Sequence, residues 1–260
     1  MIREQRHNRI LELISQEKLV SIHELAGRLD VSYMTISRDL EELEAKGSLR
    51  RIRGGAMLIK NEVDLASPPF LLFNPQLDPH HLQKAAIGRY AARHLVQDGD
   101  YITLEAGSTA SSMMQFLHQS NLTILTNGLL ASILAAPNVH NLTLMCSGGI
   151  LIDTGAFIGP QAEDFFSKFR VKKAFFGARG LTEKDGFTDP TPLYTRLKNA
   201  MRQNTENAIM LLDSSKFGIR SLVQVMTLNE VDIIVTDAGA PPDIVTALKG
   251  RGIDIRIVDE

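Results

Sequence analysis

The apolar positions of this chain change their period twice. In the first segment they recur at helical spacing: Ile10, Leu13 and Ile14 share one face, with Arg6, Arg9 and Glu12 on others. That pattern predicts a helix ending near Lys18. Ser21-Ile22-His23-Glu24 follows, a Ser-x-x-Glu capping box able to satisfy two free N–H groups at a helix start, and Leu25, Ala26 and Leu29 carry a short second helix. Asp30-Val31 predicts a tight connection. Ser32 is placed to cap a third helix whose stripe is Ile36, Leu40 and Leu43. Past Gly47 helical spacing stops. Leu49–Arg53 alternates imperfectly, Gly54-Gly55 suits a hairpin turn, and Ala56–Ile59 can return as a second strand.

Two short helices joined by a tight turn, followed by a basic hairpin, are the plan of a winged helix-turn-helix, here over residues 1–58. On the third helix Met34, Arg38 and Glu41 lie opposite the Ile36 stripe, with Thr35 and Ser37 on the flanks. The N-terminal part of that face, Ser32, Tyr33, Met34, Thr35, Ser37 and Arg38, is the expected contact with a major groove. Arg50, Arg51 and Arg53 on the wing suit phosphates or a minor groove. The competing reading of the same pattern is a protein-interaction module with solvated arginines. His7 and His23 have no partners at metal-ligand spacing and are expected at the surface.

Residues 59–81 read as a linker, since Pro68-Pro69, Pro75 and Pro79 block a continuous helix. The run Phe70–Phe73 is too apolar for a free tether and is expected to pack on a neighbour. From about residue 82 to 260 short apolar strands alternate with helices. The strands are expected at Tyr101–Glu105, Leu122–Thr126, Leu142–Cys146, Ala174–Gly177, Ala208–Leu212, Ile233–Thr236 and Ile255–Val258. The helices are expected at Lys84–Val96, Thr109–Leu117, Leu129–Ala135, Leu193–Asn204 and Pro242–Lys249. Such alternation predicts an α/β domain with a mainly parallel sheet covered on both faces.

Composition agrees with this division without adding much to it. With 44% hydrophobic and 22% charged residues a buried core is available and wholesale disorder is excluded. Residues 1–60 hold 11 Lys/Arg against 9 Asp/Glu, and the rest 17 against 21, the sign expected of a DNA-reading head on an acidic body. The single cysteine, Cys146, excludes an internal disulfide and a cysteine zinc cluster. The charged start lacks a signal-peptide core, and no stretch of about 18 apolar residues occurs, so a cytoplasmic protein without a membrane partner is expected.

The candidate chemistry lies at the strand ends. Glu105 leads into Gly107-Ser108-Thr109, Thr126-Asn127 precedes Gly128, and Gly148-Gly149 follows the third strand. In a parallel sheet three such loops converge at one edge, where N–H groups and hydroxyls can hold an anion. Arg179 and Lys216 are cations at further strand ends, able to pair with phosphate. An isomerase would need a carboxylate base. In the isomerases that this part of the chain resembles a carboxylate-bearing loop supplies it, and the corresponding stretch here, Gly177-Ala178-Arg179-Gly180, has none, while Glu105, Asp185 and Asp213 are not forced together by spacing. The expectation is binding without catalysis or cofactor, with a sugar-phosphate isomerase-like enzyme and a phosphosugar-binding adaptor as alternatives.

The motifs Arg6-His7-x-x-Ile10, Val31-Ser32-x-x-Thr35-Ile36-x-Arg38-Asp39-Leu40-x-x-Leu43 and Arg51-x-x-Gly54-Gly55-Ala56 resemble the N-terminal signature of the DeoR family of bacterial regulators. In the body, Glu105-x-Gly107-Ser108-Thr109, Leu125-Thr126-Asn127, Gly148-Gly149, Lys173-Ala174-Phe175-x-Gly177-Ala178-x-Gly180 and Asp213-Ser214-Ser215-Lys216-Phe217-Gly218 are similar to its sensor domain. The resemblance implies a sensor fold related to ribose-5-phosphate isomerases and coenzyme A transferases. It also implies a double-stranded operator DNA partner, a phosphorylated sugar as effector, and control of a carbohydrate operon by repression. Paired operator half-sites would call for a homo-oligomer, a dimer or higher. Departures from the family pattern include Ser37, where a second basic residue is common, Gln83 before Lys84, and Tyr194, where the family often carries Glu.

Overall fold

In a computed structural model describing residues 3–17, 19–45, 48–52, 54–58, 78–134, 136, 138–152 and 154–259, Ser21 closes the expected capping box. Its hydroxyl accepts from the Glu24 N–H at 3.1 Å, and the Glu24 carboxylate accepts from the Ser21 N–H at 3.1 Å. Helices α1 (Arg3–Glu17), α2 (Ile22–Leu29) and α3 (Tyr33–Ala45) follow the predicted stripes, with Ile10, Ile14, Leu25, Ile36 and Leu40 fully buried in one core. Asp30 ends α2 in a left-handed conformation, with φ of 51°. The Ser32 hydroxyl caps α3 by accepting from Thr35 N–H at 3.2 Å. The wing is β2 (Leu49–Ile52) and β3 (Gly55–Leu58), antiparallel, turning at Gly54 with φ of 85°. A strand absent from the sequence reading, β1 (Leu19–Ser21), pairs with β3 and extends the wing to three strands. Three residues carry no periodicity of their own.

The chain divides into two compact units, Met1–His81 and Leu82–Glu260. The second opens with α4 (His81–His94), which starts a turn earlier than predicted, at the Asp78 turn. Arg53, Ile59 and most of the expected linker, with Phe70–Phe73 and Pro68, Pro69 and Pro75, lie outside the described residues.

All seven expected strands form one parallel sheet. They are β4 (Tyr101–Leu104), β5 (Thr123–Thr126), β6 (Thr143–Cys146), β9 (Val171–Phe176), β12 (Thr205–Leu211), β14 (Ile233–Asp237) and β15 (Asp254–Val258), in the order β15-β14-β12-β9-β4-β5-β6. Alternation splits the core between the two faces. Phe175, Ile209 and Leu211 meet α4, α5 (Ser108–Ser112) and α6 (Leu129–Ile133) on one face. Phe176, Met210 and Ile234 meet α7 (Pro160–Ser167), α8 (Leu193–Gln203) and α9 (Pro242–Gly250) on the other. The predicted helix Thr109–Leu117 is instead α5 followed by a 3-10 turn at Met113–Gln115.

Short antiparallel elements, missed by the sequence reading, complete the unit. The hairpin β7 (Ile150–Leu151) and β8 (Phe157–Ile158) follows β6. A second sheet runs β10 (Gly180–Thr182), β11 (Gly186–Asp189) and β13 (Val223–Met226).

Candidate functional sites: a DNA-reading face and a strand-end charge cluster

On α3, Ser32 at the cap, Tyr33, Met34 and Arg38 are exposed, and Thr35 and Ser37 are half-buried beside them. The face expected to read a major groove is therefore presented to solvent. The ring of His23 on α2 is also exposed and lies 5.1 Å from that of Tyr33. His7 corrects the expectation that it lies at the surface: it is 6% exposed, and its Nε2 stands 3.1 Å from Asp39. The same carboxylate takes two bonds from Arg6, at 2.5 and 2.9 Å, tying α1 to the inner side of the reading helix. Burial raises the Asp39 pKa, but the bonds from Arg6 and His7 outweigh it and leave the group below its ordinary value.

Arg51 is not free on the wing. Its guanidinium bonds Glu41 on α3 at 2.7 Å and reaches Ser37 at 3.5 Å, while its backbone N–H donates to Glu44 at 2.7 Å. Arg50 is half-buried.

In the larger unit, the connections after β4 and β5 lead to one side of the sheet and those after β9 and β12 to the other. The strand order thus reverses between β4 and β9. Ligands of parallel sheets bind beyond the carboxyl ends at such a point, and Glu105 stands there. Its Oε2 accepts from the Gly177 N–H at 2.9 Å, bridging the ends of β4 and β9. Lys198 approaches from α8, 3.1 Å from Glu105 Oε1, and donates to Asp189 Oδ2 at 2.7 Å and to the Gly177 carbonyl at 2.5 Å. Asp189 Oδ1 in turn accepts from the Arg179 N–H at 2.8 Å. Glu105, Lys198 and Asp189 are all buried.

Of the three carboxylates weighed from sequence, Glu105, Asp185 and Asp213, only Glu105 stands in this cluster, and its companion is Asp189, the two sharing one cation. Burial pushes Glu105 up to about 7, against the pull of Lys198 and with help from Asp189. Burial lowers Lys198, and the two carboxylates more than offset it, so the ammonium stays above its ordinary range. All three ammonium hydrogens have acceptors, so Lys198 serves as the floor of the site rather than as a loose counter-charge.

Of the other strand-end residues, Gly107 and Arg179 are exposed, Ser108 is half-buried and Thr109 buried. Tyr194, one turn before Lys198, puts its ring centroid 6.0 Å from the ammonium and bonds Thr154 at 2.7 Å through its hydroxyl. Thr126 and Asn127 are wholly buried and internally engaged. Thr126 donates to the Leu104 carbonyl at 2.7 Å, and Asn127 accepts from Ala106 N–H at 2.8 Å and donates to the Phe157 carbonyl. They hold the β4 loop and the β8 strand in place. Gly148 and Gly149 follow β6, and Lys216 lies past β12 with Asp213 at 3.7 Å. Five adjacent strands, β6 to β12, carry these loops, spanning roughly 19 Å between the outer strand axes at the usual spacing.

Lys198 and Asp189 escaped the sequence reading. The signal for Lys198 was present: Tyr194, Leu197, Lys198 and Met201 fall at helical spacing, which sets a lysine inside a buried stripe.

Two family models match the chain: a DeoR-like helix-turn-helix domain over residues 6–62 and the DeoR C-terminal sensor domain over residues 79–238. The chain is 31% identical to the HTH-type transcriptional regulator GolR of Listeria innocua over 258 residues, covering 98% of each chain. It is 29% identical to the glycerol-3-phosphate regulon repressor of Escherichia coli, covering 97% of this chain and 98% of that one. Among solved structures, ribose 5-phosphate isomerase A of Methanocaldococcus jannaschii is similar at a TM-score of 0.38 and 20% identity, covering 53% of this chain and 55% of that one. The Listeria and Escherichia relatives are named as regulators rather than enzymes, and no helix among the described residues is long and apolar enough to cross a membrane. With both halves matched in order and a full-length relative above 30% identity, the chain belongs to the DeoR family of helix-turn-helix transcriptional regulators.

Proposed function

We propose that this regulator is a repressor of a carbohydrate-utilisation operon, and that it leaves its operator when a phosphorylated sugar binds at the carboxyl ends of β4 and β9. The observation carrying the reading is the buried Glu105–Lys198–Asp189 cluster at the point where the strand order reverses. A floor of two carboxylates and one fully bonded ammonium suits a hydroxyl-rich ligand, whose O–H groups donate to carboxylate oxygens. The rim formed by Gly107, Ser108, Thr109 and Arg179 supplies hydroxyls and a cation for a phosphate. Thr126, Asn127, Gly148 and Gly149 shape the loops around it, and Lys216, past the end of β12, lies two strands from β4 and could supply a further cation. The name of the Escherichia coli relative, a glycerol-3-phosphate regulon repressor, supports a phosphorylated effector here.

The test uses the full chain and a duplex selected by it from a random library. Phosphorylated sugars and their unphosphorylated parents are screened by thermal shift, then added to the DNA complex. One phosphorylated sugar is expected to raise the melting temperature and release the duplex, while its parent does neither. Release by the parent sugar alone, or by no member of a broad panel, would sink the reading.

A further inference from the structure

The reading helix carries an acid where DNA contact calls for a base. Glu41 sits three residues after Arg38 on the solvent face of α3, its side chain 59% exposed, and bonds Arg51 of the wing at 2.7 Å. Around it, Ser37 lies 3.5 Å from the same guanidinium, and Glu44 accepts the Arg51 N–H at 2.7 Å. The other acids of this helix are committed elsewhere, Asp39 to Arg6 and His7, and Glu42 to Arg3. Glu41 therefore faces outward with a single cationic partner among the described residues, and that partner is an arginine expected to meet phosphate.

We propose that Glu41 restrains sequence-independent DNA binding by holding Arg51 off the phosphate backbone. A paired guanidinium presents little net charge, and phosphate must first displace a carboxylate that itself repels it. The pair is exposed, and such pairs are worth only about 0–1 kcal/mol, so the restraint is a graded one that a well-fitted operator can open. Sequence-independent affinity comes almost wholly from neutralised phosphates, so this is the term Glu41 governs. The inference rests on the DNA-binding role of the head and is independent of the proposed effector.

Four full-length proteins decide it: wild type, Glu41→Gln, Arg51→Ala and the double variant, each titrated with a random-sequence 30-base-pair duplex from 50 to 200 mM salt. All substitutions are at solvent-accessible side chains, and far-ultraviolet circular dichroism checks the fold. Freeing one arginine adds about one phosphate contact, steepening the slope of log K against log salt by about 0.9. Glu41→Gln is then expected to bind the random duplex at least about threefold more tightly at 50 mM, and to lose about threefold more of its affinity across the series. Arg51→Ala is expected to erase the gain of Glu41→Gln, so that the double variant binds the random duplex no more tightly than Arg51→Ala alone. An unchanged or weaker Glu41→Gln overturns the proposal. So does a gain that keeps the wild-type salt slope, which would not be electrostatic, or one that survives in the double variant, which would come from lost repulsion alone. Failure of the wild type to retain any duplex would count against the DNA-reading role itself.

Discussion

Lys198 holds two buried carboxylates at once, and the consequences of removing it differ from those of removing Glu105. Without the ammonium, Glu105 and Asp189 face each other in a site where neither has water to screen it. Lys198→Met is expected to destabilise the larger unit by about 3–5 kcal/mol, the usual cost of breaking a buried ion pair on one side. The loss would be read from its urea midpoint by circular dichroism. Glu105→Gln keeps the shape and removes one titration. Glu105 sits near 7 in the folded unit and at an ordinary 4.5 when unfolded, so the folded form keeps a proton that the unfolded chain gives up. Its contribution is fully present below pH 4.5 and is lost as pH rises through about 7. Lys198 is raised as well, and its contribution stays constant over that window, because it declines only above its unfolded value of 10.5. Relative to Glu105→Gln, the wild type is therefore expected to lose stability between pH 5 and 7, by at most about 1.4 kcal/mol per pH unit. A flat difference curve would mean that Glu105 is ionised throughout.

At the scale of elements, legibility followed the range over which each signal is written. The seven parallel strands are apolar runs buried on both faces, and each was readable from its own residues. The strands β1, β7, β8, β10, β11 and β13 have two to four residues, too few to show a period, and exist by pairing, locally in the β7–β8 and β10–β11 hairpins and at long range where Phe187 meets Met226 and β1 meets β3. Helix α7 begins with Gly159 and Pro160, a start signal in a segment too short to show a period of its own. Site residues followed the same rule. Glu105 was found because it ends a strand, whereas Lys198 and Asp189 reach it from elements more than eighty residues away. His7 beside Ile10 and Ile14, Asp39 beside Ile36 and Leu40, and Lys198 beside Leu197 and Met201 share one recoverable clue, a charged or titratable residue inside an apolar stripe. Two strand-end glycines show how far loop composition can mislead. Gly149 has φ of 113°, and a Cβ there would stand 2.6 Å from the Ile158 carbonyl, whereas a Cβ on Gly107 would meet nothing within 4 Å. Gly149→Ala is expected to lower the stability of this unit by about 1–3 kcal/mol, and Gly107→Ala to leave the melting temperature within about a degree. If both behave alike, Gly149 is not held by its backbone.

For the molecule as a whole, the proposed repression and release reduce to a coupling free energy between a DNA site and an effector site. In that proposal the larger unit contributes a strand-end site and the head a groove-reading face, and linkage demands symmetry between them. If a phosphorylated sugar weakens operator binding by some factor, operator DNA must weaken sugar binding by the same factor. Couplings of this kind are typically about 1–3 kcal/mol, so a shift of roughly 5- to 150-fold is expected in each direction. The measurement is a closed cycle: duplex affinity by anisotropy with and without saturating sugar, and sugar affinity by calorimetry with and without saturating duplex. Protein concentration has to be held fixed across the four arms, because an operator read by paired heads links assembly to binding and would otherwise enter the cycle as a fifth equilibrium. Glu105→Gln is the informative variant here. If Glu105 accepts a sugar hydroxyl, the substitution weakens sugar binding with and without DNA alike, and the coupling factor survives. If the cluster instead carries the conformational signal, sugar still binds and the factor collapses toward one. Equal shifts in both directions are what a two-site regulator requires. A sugar that binds tightly and leaves duplex affinity untouched would show that the strand-end site, whatever it holds, does not govern this operator.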